Sequence, residues 1–199
     1  MKKHILTILK VLVWLVCLFP VAWLVYGALT DKLGADQTAT ITFITGKEAL
    51  WLLTISLAIT PARLLIPQLG WVIKFRRLLG LFAFFYASLH LMAYVSLHAG
   101  FDINTMVDDV TRRRFIFIGV ASWLILLPLA VTSTNWAIRK LGGMRWALLH
   151  KAVYVAALAG VIHYWWGVKP GVRTPLTVTV VLGVLLAARL LKLRRPKTT

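Results

Sequence analysis

Six apolar runs, each long enough to cross a bilayer as a helix, constrain this chain more than any motif in it. A spanning helix takes about 20 residues, and the runs lie near 8–29, 49–66, 78–97, 115–132, 146–166 and 176–193. Inside hydrocarbon every backbone N–H and C=O must be bonded within the protein, and a helix does this segment by segment. The expected fold is therefore an all-α membrane protein, a six-transmembrane-helix bundle. Residues are 60% hydrophobic and 15% charged, too few charges to solvate a water-facing surface of this size. Lys2 and Lys3 ahead of the first run resemble a signal-peptide start. That run is too long for one and no small-residue cleavage site precedes Thr30, so a retained span is expected.

The net charge of +17 is spread between the apolar runs and not gathered on one face as nucleic-acid binding requires. Sorted by connection, it gives a direction, because cations near span ends favour the cytoplasm. With both termini cytoplasmic, that side holds Lys2, Lys3, Lys10, Arg63, Lys74, Arg76, Arg77, Arg139, Lys140, Arg145, Lys151, Arg189, Lys192, Arg194, Arg195 and Lys197, and no acid. The opposite side holds Lys32, Lys47, Arg112, Arg113, Arg114, Lys169 and Arg173 with all six acids, Asp31, Asp36, Glu48, Asp102, Asp108 and Asp109. Arg112, Arg113 and Arg114 run against the rule, partly offset by Asp108 and Asp109. No connection is long enough for a soluble domain, and no repeat of 20–50 residues is evident, so a single membrane domain over 1–199 is expected. A lone cysteine, Cys17, rules out an intramolecular disulfide. Nucleotide-binding loops, paired intramembrane carboxylates and a Ser/His/Asp set are missing, which removes a platform for nucleotide or hydrolytic chemistry.

Ionisable residues within spans are costly and point to function. His4 and His98 fall at span ends and read as interfacial, whereas His90, His150 and His163 fall in spans three and five, which carry no acid to pair with an imidazolium. The two spans run parallel. At about 1.5 Å per residue, His90 lies about 18 Å along its span, His163 about 24 Å and His150 about 5 Å. His90 and His163 are the better depth match, and an ordinary helix tilt absorbs the difference. Small residues lead to each: Gly80, Ala83 and Ala87 to His90, and Ala152, Ala156 and Ala159 to His163. Such stripes let helices approach closely, or they clear volume for a flat macrocycle whose iron takes one imidazole from each helix. An iron with both axial positions filled suits electron transfer better than oxygen chemistry. His150 stands about 20 Å and about 140° from His163 on an ideal helix, so the two cannot share one iron. A second-site ligand, a quinone or flavin contact, and a satisfied interfacial histidine all stay open for it. Trp165 and Trp166 fit an aromatic belt, and Pro20, Pro61 and Pro128 read as kinks.

Three segments carry a resemblance: RRLLGLFAFFYASLHLMAY at 76–94, TSTNWAIRKLGGMRWALLHKAVY at 132–154 and HYWW at 163–166, with LGAD near Leu33 and TGKEAL near Thr45. Together they resemble the MsrQ (formerly YedZ) family, haem-containing membrane subunits of a bacterial methionine sulfoxide reductase system, within the ferric-reductase-like transmembrane superfamily. The resemblance implies His90, His150 and His163 as haem-associated metal ligands holding one haem b, with room for a second. The chain departs from the superfamily pattern of two histidines on each of two helices, because span three has no inner histidine. The resemblance further implies an FMN cofactor, electrons from the quinone pool or a cytosolic flavin reductase, and a periplasmic molybdopterin-dependent methionine sulfoxide reductase as acceptor. The place implied is the bacterial inner membrane. Substrate chemistry would then lie in the partner subunit. The competing readings are a small transporter using the histidines as a proton relay and a passive membrane anchor.

Overall fold

The computed structural model describes residues 3–167 and 174–193, and among them every regular element is helical. In chain order these are α1 (Lys3–Leu29), α2 (Gln37–Leu65), a 3₁₀ segment (Pro67–Phe75) leading into α3 (Arg76–Ala93), and a π-helical end (Tyr94–His98). There follow α4 (Ile103–Arg112), α5 (Arg114–Val131), α6 (Asn135–Leu141), α7 (Gly143–Leu149), a 3₁₀ turn (His150–Ala152), α8 (Val153–Gly167) and α9 (Thr174–Leu193). Among the described residues five stretches are long and apolar enough to cross a membrane: His4–Leu29, Gln37–Arg63, Pro67–His98, Arg114–Val131 and Gly143–Gly167. The sixth apolar run lies on α9, where Pro175–Ala188 forms a shorter apolar helix. Of the charges sorted above, Lys2, Lys169, Arg173, Arg194, Arg195 and Lys197 lie outside the described residues.

Two boundaries differ from the sequence expectation, each for a local reason. The second span starts at Gln37 and not near 49, because the Asp36 carboxylate accepts the free N–H of Ala39 at 2.8 Å and starts the helix early. Lys47 and Glu48 consequently sit on a spanning helix and not in a connection. The fifth run is divided where His150, whose Nδ1 lies 3.0 Å from the Trp146 carbonyl, tightens the chain into a 3₁₀ turn between α7 and α8.

Packing is led by two helix pairs, α2 on α3 and α5 on α8, with α9 laid across α2 and α8. Leu53, Phe82, Tyr86, Leu126, Ala156 and Leu182 are among the side chains that meet in the core between them. Ser122 donates to the Ala156 carbonyl at 2.9 Å and joins α5 to α8 in the interior. Large apolar side chains such as Leu15, Val16, Phe19 and Leu29 face outward, as a lipid-facing surface requires. α1 packs mainly against α2, and a polar key also joins it to α3. Beside Pro20, which has no N–H to give, the hydroxyl of the fully buried Tyr86 donates to Cys17 O at 2.6 Å and accepts from Val21 N at 3.2 Å. A side chain inserted into the helical ladder is a recognised cause of a bend.

The bundle has two ends. At one, Arg77 donates to Asn135 Oδ1 at 2.7 Å, placing the starts of α3 and α6 together. At the other, the His98 ring bonds Thr42 Oγ1 at 3.1 Å, placing the end of the third span beside the start of α2.

Candidate functional site

α3 and α8 each bring one histidine to a shared interior space. The rings of His90 and His163 face each other edge to face, centroids 5.8 Å apart and planes inclined at 82°. His90 Nδ1 lies 2.9 Å from the Thr42 carbonyl on α2, and His163 Nδ1 lies 2.6 Å from the Phe115 carbonyl on α5. A carbonyl only accepts, so each Nδ1 carries the hydrogen and each Nε2 keeps a lone pair in the neutral ring. Among the described residues neither Nε2 has a hydrogen-bond partner. A histidine whose Nδ1–H is tied to a backbone carbonyl while Nε2 stays free is the arrangement of a metal-ligating imidazole with its outer partner in place.

Two glycines make these bonds geometrically accessible. A Cβ on Gly46 would lie 2.9 Å from His90 Cε1, and one on Gly119 would lie 2.6 Å from His163 Nδ1. Each ring therefore rests on helix backbone, at a position where alanine would collide. The carbonyl it bonds belongs to the residue four before the glycine, the one that receives that glycine's own N–H in an α-helix. Both histidine-to-carbonyl bonds span 48 residues, so α2 with α3 and α5 with α8 repeat one device, glycine, carbonyl and histidine, at matching positions.

Around the pair lies a cavity of about 720 Å³, within the range that holds a large organic ligand. Ala87, Leu50, Leu53, Leu126, Ala156 and Gly160 form much of its body, so the small stripes contribute through Ala87 and Ala156, while Gly80 faces elsewhere. Lys47, His98, Thr105, Asp109 and Arg113 also line it. Asp109 is held by Arg113 at 2.9 Å and by the Tyr94 hydroxyl at 2.8 Å, which fastens α4 to the third span. Arg112 pairs separately with Asp108 on the exposed face of α4.

His150 is not part of this group. It lines a second cavity of about 320 Å³ at the Arg77 end, with Arg76, Arg77 and Trp146. Its ring stacks on Trp146 at 3.9 Å, and its nitrogens face two carbonyls, Nδ1 at 3.0 Å from Trp146 O and Nε2 at 3.2 Å from Leu129 O, so the one N–H of the neutral ring has an acceptor in either tautomer.

Residues 45–161 match the family described as ferric reductase like transmembrane component. Relatives named protein-methionine-sulfoxide reductase heme-binding subunit MsrQ match nearly end to end. The protein of Herminiimonas arsenicoxydans is 44% identical over 92% of this chain and 85% of its own length. That of Rhodospirillum rubrum is 45% identical over 91% and 86%, and that of Deinococcus radiodurans 44% over 90% and 89%. The chain belongs to the MsrQ family. The part shared with the wider ferric reductase family begins one residue before Gly46 and ends two before His163, so it contains Gly46, His90, Phe115 and Gly119 but neither Thr42 nor His163. For an MsrQ family member the coarse expectations of an all-helical, multi-pass membrane protein are met.

Sequence reasoning missed Gly46, Gly119 and the carbonyls of Thr42 and Phe115. The available signal was the equal interval from Gly46 to His90 and from Gly119 to His163, repeated at an offset of 73 residues (119 − 46 and 163 − 90), which is longer than the repeat periods usually inspected.

Proposed function

We propose that this chain is a transmembrane electron carrier that holds one haem b between His90 and His163. The facing imidazoles with tied Nδ1 and free Nε2 carry this reading. The cofactor fits on grounds of this structure: two orphaned ring nitrogens share a roomy, mainly apolar cavity whose walls are shaved by glycine and alanine. Among the described residues no group of three or more His, Cys, Asp or Glu could hold a bare metal ion, whereas a macrocycle brings its own equatorial nitrogens. Bound there, haem supplies a one-electron couple at iron. The chain's residues do the rest. Thr42 and Phe115 fix the ring orientation and tautomer, and the apolar body of the cavity excludes water.

The path runs from the Arg77 end, taken as cytoplasmic on the charge sorting, to the His98 end. Thr42 stands about 8 Å from the start of α2 and Phe115 is the second residue of α5. The site thus lies close to the side where a periplasmic acceptor would dock. That acceptor is read as a molybdopterin-dependent methionine sulfoxide reductase, since the relatives' name attaches to a protein-methionine-sulfoxide reductase. The quinone pool or a cytosolic flavin reductase would be the donor. We place the chain in the bacterial inner membrane as one domain of six spans, α9 being the sixth, with both termini cytoplasmic.

His150 is read as a packed histidine at the donor end, because its N–H meets a carbonyl acceptor in either tautomer and Trp146 covers one ring face. A flavin fits the second cavity poorly: Arg77 is bonded to Asn135, and the ring it would stack on, the half-buried Trp146, is covered on one face by His150. No step is assigned to FMN.

The test is haem-to-protein stoichiometry and the reduced absorption spectrum of purified wild type, His90→Ala, His163→Ala and His150→Ala. The first two variants lose the principal haem and the third keeps it. Equal loss in all three, or a colourless wild type made with ample haem, would sink the reading.

A further inference from the structure

Lys47 is a cation with no job that the fold explains. It lies on spanning helix α2, half-buried, and lines the His90–His163 cavity. Among the described residues it has no hydrogen bond or ion pair. Its sequence neighbour Glu48 points to a different side of the helix, since adjacent helical positions do not face each other. The other charged cavity residues cancel: Arg113 and Asp109 pair, and Asp109 also takes the Tyr94 hydroxyl. Lys47 therefore leaves one unmatched positive charge on the wall. Topology does not account for it, because the cations that fix orientation cluster at the Arg77 end and Lys47 sits near the other. An unpaired lysine on a spanning helix is expensive and marks a ligand contact more often than an idle charge.

The ligand proposed for this cavity is apolar over most of its surface and anionic at one edge, where haem b carries two carboxylates. We infer that Lys47 is the binding residue for a haem carboxylate, orienting the macrocycle's acidic edge within the cavity. This rests on the reading of the cavity as a haem site. The contact is a charge-assisted hydrogen bond in a water-poor place, the strong class of such bonds. Arg113, already neutralised, contributes less.

The test compares the full-length protein in detergent, loaded either with haem b or with its dimethyl ester, which keeps the macrocycle and iron but has no carboxylate. The readout is the rate of haem loss to an apo-globin acceptor. Wild type should hold haem b about tenfold longer than the ester, the worth of one charge-assisted hydrogen bond. Lys47→Met should bring that ratio close to one by speeding the loss of haem b alone, and Lys47→Arg should restore most of it. A wild-type ratio near one, or an undiminished ratio in Lys47→Met, overturns the assignment. If instead His90→Ala and His163→Ala hold haem b as wild type does, the haem-site reading itself has failed, which is a separate result.

Discussion

Replacing Gly119 by alanine would set a methyl carbon 2.6 Å from His163 Nδ1, 2.8 Å from Cε1 and 3.3 Å from Cγ. Carbon contacts settle at about 3.5–4.0 Å, so the ring must retreat by about 1 Å. The backbone of α5 has little freedom to yield, because the same helix bonds Ala156 through Ser122 and packs along α8. The retreat would stretch the Nδ1 to Phe115 O distance from 2.6 Å to about 3.6 Å, no longer a hydrogen bond. Losing such an outer partner of a metal-ligating histidine costs about 10–100-fold in affinity. Gly119→Ala is therefore expected to release haem about 10–100-fold faster to an apo-globin acceptor and to shift the midpoint potential. Gly46→Ala, whose Cβ would meet the His90 ring at 2.9 Å and 3.0 Å, should do the same more mildly. Gly183→Ala on α9 is the control, because a Cβ there meets nothing within 4 Å and the position lies outside the cavity. Unchanged haem retention and potential in Gly119→Ala would refute the claim that the glycine fixes the imidazole.

Two further outcomes test the scaffold. Tyr86→Phe removes the hydroxyl that bridges Cys17 O and Val21 N; the expected cost is about 0.5–2 kcal/mol, seen as a lower melting temperature in detergent, and an unchanged transition would show that the bridge adds nothing. The Asp102 carboxyl is held below the ordinary carboxylate range by the Thr105 hydroxyl and the N–H groups of Asn104 and Thr105 at the start of α4. A lowered value means that the cap is complete above the unfolded carboxylate value of about 3.9 and is lost as pH falls through the lower folded value. Amide exchange at Asn104 and Thr105 should accelerate over that range in wild type and show no such step in Asp102→Ala.

The bundle was legible in the sequence because apolar length is a one-dimensional property: each run becomes a helix whatever its neighbours are. The pairing of His90 with His163 was also within reach, since depth along parallel helices follows from counting residues. What counting could not give was contact between helices. Gly46 and Gly119 read as ordinary membrane glycines, and nothing local says that an imidazole rests on either one. Lys47 and Glu48 were assigned to a connection because hydropathy falls there, although the Asp36 cap had already started the helix ten residues earlier. His150 stayed open in sequence because its neighbours Trp146 and Leu129 reach it only through a turn and a second helix.

The Tyr86 key in α1 also bears on how the bundle is built. The ribosome passes Val21 of the first span 65 residues before it reaches Tyr86. Until then Cys17 O and Val21 N lack the hydroxyl that bonds both of them in the folded bundle. Both bonds from Tyr86 to the first span therefore form only after the third span has been made. The first span enters early and locks late, so the order of synthesis and the order of assembly differ in this protein.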